Sequence, residues 1–304
     1  MSTNEKIRVT NPPKVLLLGN GIVRAFCNKQ SCQDLITKIA EKFPKSEIPP
    51  EGLPFPFKLI AVSKNNEEQV KKELKDCFQD SKDCSPPGKN NKEFEQLRQW
   101  LMPLVKTYKV ILTTNYTYEI EYALDSHFNP RSETYYRWGV EGNHKSAKAH
   151  LGKHYEISVE GHTVKIWHVH GEMVRPSGIT LGLYQYGRLI GWHRSCIADI
   201  LKKRAQLSGK DFQYGSWLEY FLFGDLSIVG FGFDLAEIDL WCMLDCKYRH
   251  NEDASVTFYA CDLSTEIKTM LKAYKVEVQE GKDVGMSPDY ERFYKKVAGK
   301  LLKG

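Results

Sequence analysis

Short apolar runs alternate with amphipathic stretches along most of this chain. Short segments at residues 14–18, 108–112, 226–229, 255–260 and 275–278 predict strands, and the β-branched and apolar run 108–112 suits a strand buried on both faces of a parallel sheet. The stretches between these runs carry apolar residues at helical spacing and predict helices. Strands that alternate with helices in this way are typical of the α/β fold class.

Other apolar segments predict further strands. Residues 57–62 and 179–182 are short apolar runs, and each of them predicts one more strand. Residues 155–159 and 163–169 alternate in polarity on either side of Glu160-Gly161, which predicts an antiparallel hairpin.

The longest polar stretch lies at residues 131–152 and contains several glycines and basic residues, so we expect a loop over the site. Residues 184–207 predict a long amphipathic helix. We expect residues 7–304 to form one domain, with helical or irregular insertions at about 31–105 and 183–224.

Polar residues follow directly after the predicted strand 108–112. Thr113, Thr114 and Asn115 can neither extend this strand nor join the core, and helical spacing resumes at Tyr116. Open α/β sheets bind their ligands at the carboxyl ends of their strands. Asn115 is therefore a candidate functional residue at a strand-to-helix corner.

Two glycine-containing turns follow predicted strands. One is Gly19-Asn20-Gly21, and the other is Gly230-Phe231-Gly232, which precedes a predicted helix with Glu237 and Asp239. Glycines let a backbone approach a phosphate closely, and the start of the next helix offers free N–H groups. A tight strand-to-helix turn is the alternative interpretation of the first of them.

Two histidines end the second strand of the predicted hairpin. With a period of two, Ile166, His168 and His170 should point to one side. The histidines could be metal ligands, but the sequence places no third ligand beside them. A single catalytic imidazole at His170, ahead of Gly171, is the simpler interpretation, and His168 is then a buried, hydrogen-bonded structural residue.

Composition narrows the classes of protein. The chain has 304 residues, of which 41% are hydrophobic, and no apolar run approaches the roughly 20 residues of a membrane helix. We therefore expect a soluble cytoplasmic protein that does not contact a membrane. A net charge of +5, spread along the chain, argues only weakly for nucleic acid, and a solvated surface explains it equally well, so we do not expect nucleic acid to be bound directly. The eight cysteines form no Cys-x-x-Cys pair, so no zinc module and no bound metal are expected.

Four segments, in this order, resemble motifs of the sirtuin superfamily: Leu-Leu-Gly-Asn-Gly at 17–21, Thr-Thr-Asn-Tyr at 113–116, His-Val-His-Gly at 168–171 and Val-Gly-Phe-Gly at 229–232. More narrowly, they are similar to bacterial sirtuin-like domains that degrade NAD in antiphage defence. The resemblance spans about residues 14–239. It implies a Rossmann-like, mostly parallel sheet with helices on both faces and an interposed helical subdomain, and it implies NAD as the substrate.

The resemblance also implies roles for individual residues. Asn115 matches the asparagine that orients the nicotinamide ribose and a water molecule, and His170 matches the histidine of the His-Gly motif. Glu237 or Asp239 would reach hydroxyl groups near the adenosine ribose. The residues implied to bind NAD are Gly19, Asn20, Gly21, Thr114, Gly230, Phe231, Gly232 and Asp239.

The chain departs from the family pattern at several points, which include a first loop without the alanine and serine usual in deacetylases and without the Pro-Asp-Phe-Arg stretch expected after it. Thr117 stands where the family commonly has an acidic residue, so a ribose contact or a structural contact is in question. Deacetylase sirtuins build a zinc module from two Cys-x-x-Cys pairs, which this chain lacks. We therefore expect an NAD glycohydrolase. An NAD-dependent deacetylase or ADP-ribosyltransferase, and a non-catalytic nucleotide-sensing domain, are the alternatives.

An unregulated NAD hydrolase would kill its own cell. No sensor domain is evident in the sequence, so we expect activation by homo-oligomer formation or by a separate partner protein.

Overall fold

The structure is a computed structural model. It describes residues 9–27, 37, 39–43, 49, 53, 55–63, 69–73, 76, 94–132, 134, 136–138, 152–175, 178–205, 213–233, 237–251, 253–281 and 289–303. Within these residues the strands are β1 Lys14–Leu18, β2 Val110–Thr113, β3 Tyr136–Trp138, β4 Lys153–Val159, β5 His162–His168, β6 Asp225–Val229, β7 Val256–Ala260 and β8 Glu277–Glu280.

The helices flank this sheet and connect its strands. Over the same residues they are α1 Asn20–Cys27, α2 Phe55–Ser63, α3 Glu95–Leu101, α4 Glu119–Leu124, α5 Leu183–Ala205, α6 Trp217–Phe223, α7 Ile238–His250, α8 Thr265–Ala273 and α9 Tyr290–Leu301. A 3₁₀ turn at Leu104–Lys106 follows α3, because Pro103 interrupts the helix that the apolar spacing would otherwise continue.

The eight strands of the described chain form one sheet in the order β3-β4-β5-β2-β1-β6-β7-β8. All neighbours from β5 to β8 pair in parallel, and β3 and β4 extend the sheet antiparallel. If only the parallel strands are numbered in chain order, the sheet reads 3-2-1-4-5-6, which is the order of the Rossmann fold. The predicted Rossmann-like α/β fold is therefore confirmed.

Both faces of the sheet are covered, which explains the continuous apolar runs. In β1, Leu16 and Leu18 pack into a core with α1, α3, α4 and α9, while Val15 and Leu17 pack into a second core with α5, α6 and α7. All four side chains are fully buried. A strand covered on both sides has no polar face, so its sequence shows no alternation.

The predicted hairpin is confirmed as β4 and β5. Glu160 and Gly161 connect the two strands with φ angles of 47° and 79°. Positive φ at both central residues is the requirement of the tightest hairpin turns. The hairpin places the end of β5, and therefore His168, beside the end of β2.

Four local predictions are wrong. Thr113, which was expected neither to extend the strand nor to join the core, is the last residue of β2 and is fully buried. Residues 57–62 belong to helix α2, where Leu59 and Val62 are buried on one face and Phe57 is exposed, so a six-residue apolar run was misread as a strand. Residues 179–182 form no strand. The stretch 131–152 was expected to be only a loop, but the short strand β3 lies within it.

The division into one domain with two insertions stays a prediction. The predicted insertion at 183–224 corresponds to α5 and α6 between β5 and β6, and much of residues 31–105 lies outside the described chain.

None of the helices in the described ranges combines the length and the apolar character that crossing a bilayer demands.

A buried lysine closes the end of α6. Lys247 on α7 is 3% exposed, and its Nζ donates hydrogen bonds to the carbonyl oxygens of Phe221, Leu222 and Gly224 at 3.1, 3.3 and 2.6 Å. The last carbonyls of a helix have no partner within the helix, so the Lys247 amino group satisfies them. Burial lowers the pKa of Lys247 to about 7, so at neutral pH part of the population is charged and also complements the helix dipole.

Lys247→Met is expected to lower the free energy of unfolding by about 3 kcal/mol, because buried carbonyl groups lose their only charged donor. Urea unfolding followed by circular dichroism measures this effect. Lys202→Met, at an exposed position in the last turn of α5, is the control and should change stability by less than about 0.5 kcal/mol. Equal unfolding midpoints for the two variants would contradict the assignment.

Candidate active site at the carboxyl edge of the sheet

Asn115 lies immediately after β2 and is held by its neighbours through the backbone. The Thr113 hydroxyl donates to the Leu18 carbonyl at 3.0 Å and accepts the Asn115 N–H at 3.1 Å. The Asn115 residue is 7% exposed, and its Nδ2 has no hydrogen-bond partner in the described chain. An unpaired buried donor costs about 1–3 kcal/mol, so this amide is suited to a polar ligand.

His168, the last residue of β5, and His170, two residues after it, point to opposite sides of the sheet, so the prediction that they share one side is wrong. His168 contacts Glu121 and Tyr118, whereas His170 contacts Asp239 and Tyr186. The period of two ends with β5 at His168, and the chain then turns through Gly171, which has a φ of 91°.

The prediction that His168 is buried and hydrogen-bonded is confirmed. Its side chain is 4% exposed. The Nδ1 atom lies 2.6 Å from the Asn115 carbonyl oxygen, and Nε2 lies 2.8 Å from Glu121 Oε1. His168 therefore joins β5 to the backbone of the candidate catalytic residue.

His170 and Asp239 form a buried pair. Nε2 of His170 lies 2.9 Å from Oδ2 of Asp239, and the residues are 2% and 0% exposed. Burial acts to lower the pKa of His170, but the charge and hydrogen bond of Asp239, together with the charge of Glu237, raise it above its usual value. Burial acts to raise the pKa of Asp239, but His170 and His193 lower it, so Asp239 is a carboxylate at neutral pH.

The Asp239 carboxylate fixes the tautomer of His170. A carboxylate can only accept a hydrogen bond, so Nε2 carries the proton in the pair. No hydrogen bond to the described chain occupies Nδ1, which is the atom left to meet a ligand. Oδ1 of Asp239 is also buried and has no hydrogen-bond partner there.

His193 on α5 is a site residue that no sequence motif indicated. It is 3% exposed, and neither ring nitrogen has a hydrogen-bond partner in the described chain. The charge of Asp239 acts to raise the pKa of His193, and the charge of His170 acts to lower it. Burial lowers the pKa of His193 to about 4, so the imidazole is neutral. The only sequence signal was its spacing: His193 lies three and four residues before Cys196 and Ile197, on the apolar face of the helix.

A metal ion was not expected, but three of these residues are close enough to hold one. Ligand atoms of His170, Glu237 and Asp239 all lie within 4.8 Å of one another. The hydrogen bond between His170 and Asp239 accounts for one of these contacts without an ion. We therefore assign the group as a hydrogen-bonded pair with a neighbouring carboxylate.

The two glycine turns touch each other between β1 and β6. Gly19 N–H donates to the Val229 carbonyl at 3.0 Å, and Gly21 N–H donates to the Gly230 carbonyl at 2.8 Å. A Cβ atom on Gly19 would lie 2.4 Å from Gly230 O, so only glycine allows this approach. The 3-2-1-4-5-6 order reverses at β1 and β6, and nucleotides bind at such reversal points.

This contact changes the interpretation of the first turn. The N–H groups of Gly19 and Gly21 are bound to the second turn, so these glycines have a structural role whatever they bind. Asn20 begins α1, and two of the first N–H groups of this helix are engaged, that of Gly21 with the Gly230 carbonyl and that of Ile22 with the Gly19 carbonyl at 3.4 Å. The start of α1 can therefore attract a pyrophosphate mainly through the positive end of its dipole.

Gly230→Ala is expected to lower the free energy of unfolding by about 2–4 kcal/mol, because Gly230 has a φ of 71° and a Cβ would lie 2.6 Å from Ile22 N. Gly232→Ala is the matched control, since no atom lies within 4 Å of its Cβ position. Thermal unfolding of both variants measures the difference. A Gly230→Ala protein as stable as Gly232→Ala would contradict the close approach.

The other predicted NAD-binding residues line the same edge in different ways. Thr114 is half-buried, and its N–H donates to the Leu18 carbonyl at 3.3 Å. Phe231 is buried, and its ring packs edge-on against that of Phe233, so its side chain packs the turn against the core. Gly232 is exposed, which leaves open space above the turn.

An acidic group lies beside Thr117, the position where the family pattern fits least well. The Thr117 hydroxyl donates to Oε2 of Glu119 at 2.6 Å, and Glu119 is 3% exposed. The carboxylate of Glu119, two residues after Thr117, is therefore present at this corner.

The structure brings the candidate residues to one edge of the sheet. The strands β5, β2, β1 and β6 are consecutive and parallel, so their carboxyl ends, which carry His170, Asn115, Gly19 and Gly230, lie side by side.

A scan against protein-family models finds no matching family, and a search of curated proteins finds no similar sequence.

Proposed function

We propose that this protein hydrolyses NAD to nicotinamide and ADP-ribose, as a sirtuin-like NAD glycohydrolase. The observation that carries the proposal is the contact of the two glycine turns at the reversal point of a 3-2-1-4-5-6 sheet, next to the buried, unpaired amide of Asn115. A dinucleotide lies across such a reversal point in Rossmann folds.

The chemistry needs few groups. The C1′–N bond of the nicotinamide ribose breaks, and its electron pair neutralises the pyridinium, so the leaving group requires no general acid. A water oxygen then forms the new C1′–O bond and loses a proton. The site must hold the ribose, exclude other water and orient one nucleophile.

Each candidate residue has a role that its geometry supports. Asn115 Nδ2 donates to the ribose or to the attacking water, which supplies the acceptor that the amide lacks within the described chain. Nδ1 of neutral His170 accepts a proton from a ribose hydroxyl or from the water, and Asp239 stabilises the resulting imidazolium. The start of α1 meets the pyrophosphate.

Product analysis tests the proposal. The purified protein is incubated with NAD alone, and the products are separated by liquid chromatography. Free nicotinamide with linear ADP-ribose supports a hydrolase, whereas cyclic ADP-ribose, which forms without water, would indicate a cyclase. A requirement for an acylated peptide would indicate a deacetylase, and modification of an added protein would indicate an ADP-ribosyltransferase. A thermal shift with NAD but no turnover would indicate a nucleotide sensor.

A chelator separates the proposed site from a metal site at the same residues. Because the His170–Asp239 pair is complete without an ion, EDTA is expected to leave the rate of NAD consumption unchanged. Loss of activity in EDTA that added Mn²⁺ or Zn²⁺ restores would contradict the assignment.

We further propose that the activity belongs to an NAD-depleting effector of bacterial antiphage defence, active in the cytoplasm. Such an activity must be silent until it is needed, so we propose activation by self-assembly or by a separate partner protein. Activity per protomer should then rise with protein concentration or on addition of the partner. Full activity in a dilute monomer would contradict this.

A further inference from the structure

His168 faces hydrogen-bond acceptors at both of its ring nitrogens. Nδ1 lies 2.6 Å from a carbonyl oxygen, that of Asn115, and Nε2 lies 2.8 Å from a carboxylate oxygen, that of Glu121. A carbonyl never donates a hydrogen bond and an ionised carboxylate only accepts one. Both contacts are satisfied together when the ring is a doubly protonated imidazolium.

The charges around His168 favour that form. Glu121 on α4 is fully buried, Glu172 follows β5, and the rings of Tyr118 and Tyr155 pack edge-on at 5.3 and 6.0 Å. Burial acts to lower the pKa of His168, but Glu121, Glu172 and the Asn115 carbonyl together raise it to about 9. The imidazolium is therefore the form present at neutral pH.

The backbone of Asn115 is thus held from both sides. His168 holds its carbonyl group, and the Thr113 hydroxyl holds its N–H at 3.1 Å. Its side-chain Nδ2 has no partner in the described chain. We propose that His168, charged through its contact with Glu121, is a positioning residue that aims the Asn115 amide at the substrate, an inference that rests on the proposed function.

The geometry gives this device an upper pH limit. A neutral imidazole has one N–H, so loss of the proton breaks either the bond to Asn115 or the bond to Glu121. Turnover should therefore fall as the pH rises through about 9. Glu121→Gln keeps the size of the side chain and an acceptor oxygen but removes the charge. Burial then dominates, and the alkaline fall in turnover should move to lower pH.

The chain offers a matched control in the same hairpin. His154 also lies between a carbonyl oxygen, that of Gly152 at 2.6 Å, and a carboxylate, that of Glu156 at 3.1 Å, but its ring stacks on Trp167 and does not contact Asn115. Glu156→Gln should leave both kcat and the pH profile as in the wild type.

Steady-state NAD consumption between pH 6 and 10 tests the positioning role. Glu121→Gln is expected to lower kcat about tenfold at pH 7.5, with a KM for NAD within about threefold of wild type, because misplacement of Asn115 affects the reacting geometry more than binding. His168→Gln, which has no titrating ring, should lose the alkaline fall. An unchanged kcat and an unchanged alkaline midpoint in Glu121→Gln would overturn the proposal.

Nuclear magnetic resonance of ¹⁵N-labelled histidine gives a readout that does not depend on turnover. Both ring nitrogens of His168 should be protonated at pH 7.5 in the wild type, and the titration should move to lower pH in Glu121→Gln. A neutral His168 at pH 7.5 would overturn the proposal even if NAD is consumed. A wild-type protein that consumes no NAD would refute the proposed function, while these spectra would still decide the state of His168.

Discussion

Asn115→Ala is expected to abolish NAD consumption without destabilising the protein. The rate should fall about a thousandfold, because one preorganised donor in a buried site contributes roughly that much. The folded state loses no hydrogen bond to the side-chain Nδ2, which has no partner in the described chain, so the thermal midpoint should stay the same or rise slightly. Chromatography of nicotinamide and thermal unfolding measure the two effects.

Asn251 is the matched control for this prediction. It is also a buried asparagine, but its Nδ2 donates to the Leu222 carbonyl at 2.8 Å and its Oδ1 accepts the N–H groups of Asp253 and Ala254. Asn251→Ala should lower the free energy of unfolding by about 1–3 kcal/mol and leave turnover intact at temperatures where it is folded. If Asn115→Ala consumed NAD at the wild-type rate, the catalytic assignment would fail.

Asp239→Asn is expected to lower kcat about a hundredfold and to change the acid side of the pH profile. In the wild type the pKa of His170 is raised, so turnover falls as acidification protonates the imidazole at a pH above its ordinary value. Without the carboxylate, burial dominates and lowers that pKa. The acid fall should therefore move to lower pH, while the plateau rate drops because the imidazolium has lost its counter-charge.

Asp245 on the same helix provides the comparison. It forms an exposed pair with Arg249 at 2.8 Å, and Asp245→Asn should leave both the rate and the pH profile unchanged. A wild-type pH profile in Asp239→Asn would show that His170 does not transfer the proton.

The sequence predicted the parallel core well, because strands buried on both faces leave short continuous apolar runs, and here these runs alternate with helical stretches as they do in α/β folds. It also placed Asn115, His170 and both glycine turns at one edge, since the carboxyl ends of parallel strands meet there. The hairpin around Glu160-Gly161 was equally plain, because a two-residue connection with positive φ leaves few alternatives.

The sequence could not reveal which side chains pair. Asp239 contacts His170 across the ends of β2 and β1, which lie between β5 and β6 in the sheet. His193 lies on helix α5, where no sequence motif surrounds it. The opposite directions of His168 and His170 depend on where β5 ends, which periodicity alone does not fix. The strand prediction for residues 57–62 was wrong for a related reason, because a short apolar run suits a strand and a buried helix face equally.

The pairing of β1 with β6 also determines when the site can form during synthesis. β1 is near the amino terminus, yet Lys14 pairs with Asp225, and the glycine turn after β1 is completed by Gly230. A ribosome must therefore release the chain through β6 before the two glycine turns can meet, since such distant pairings form late. A nascent or truncated chain that ends before β6 would carry Asn115 and His170 but not the contact of the two turns, and under the proposed function it should consume no NAD.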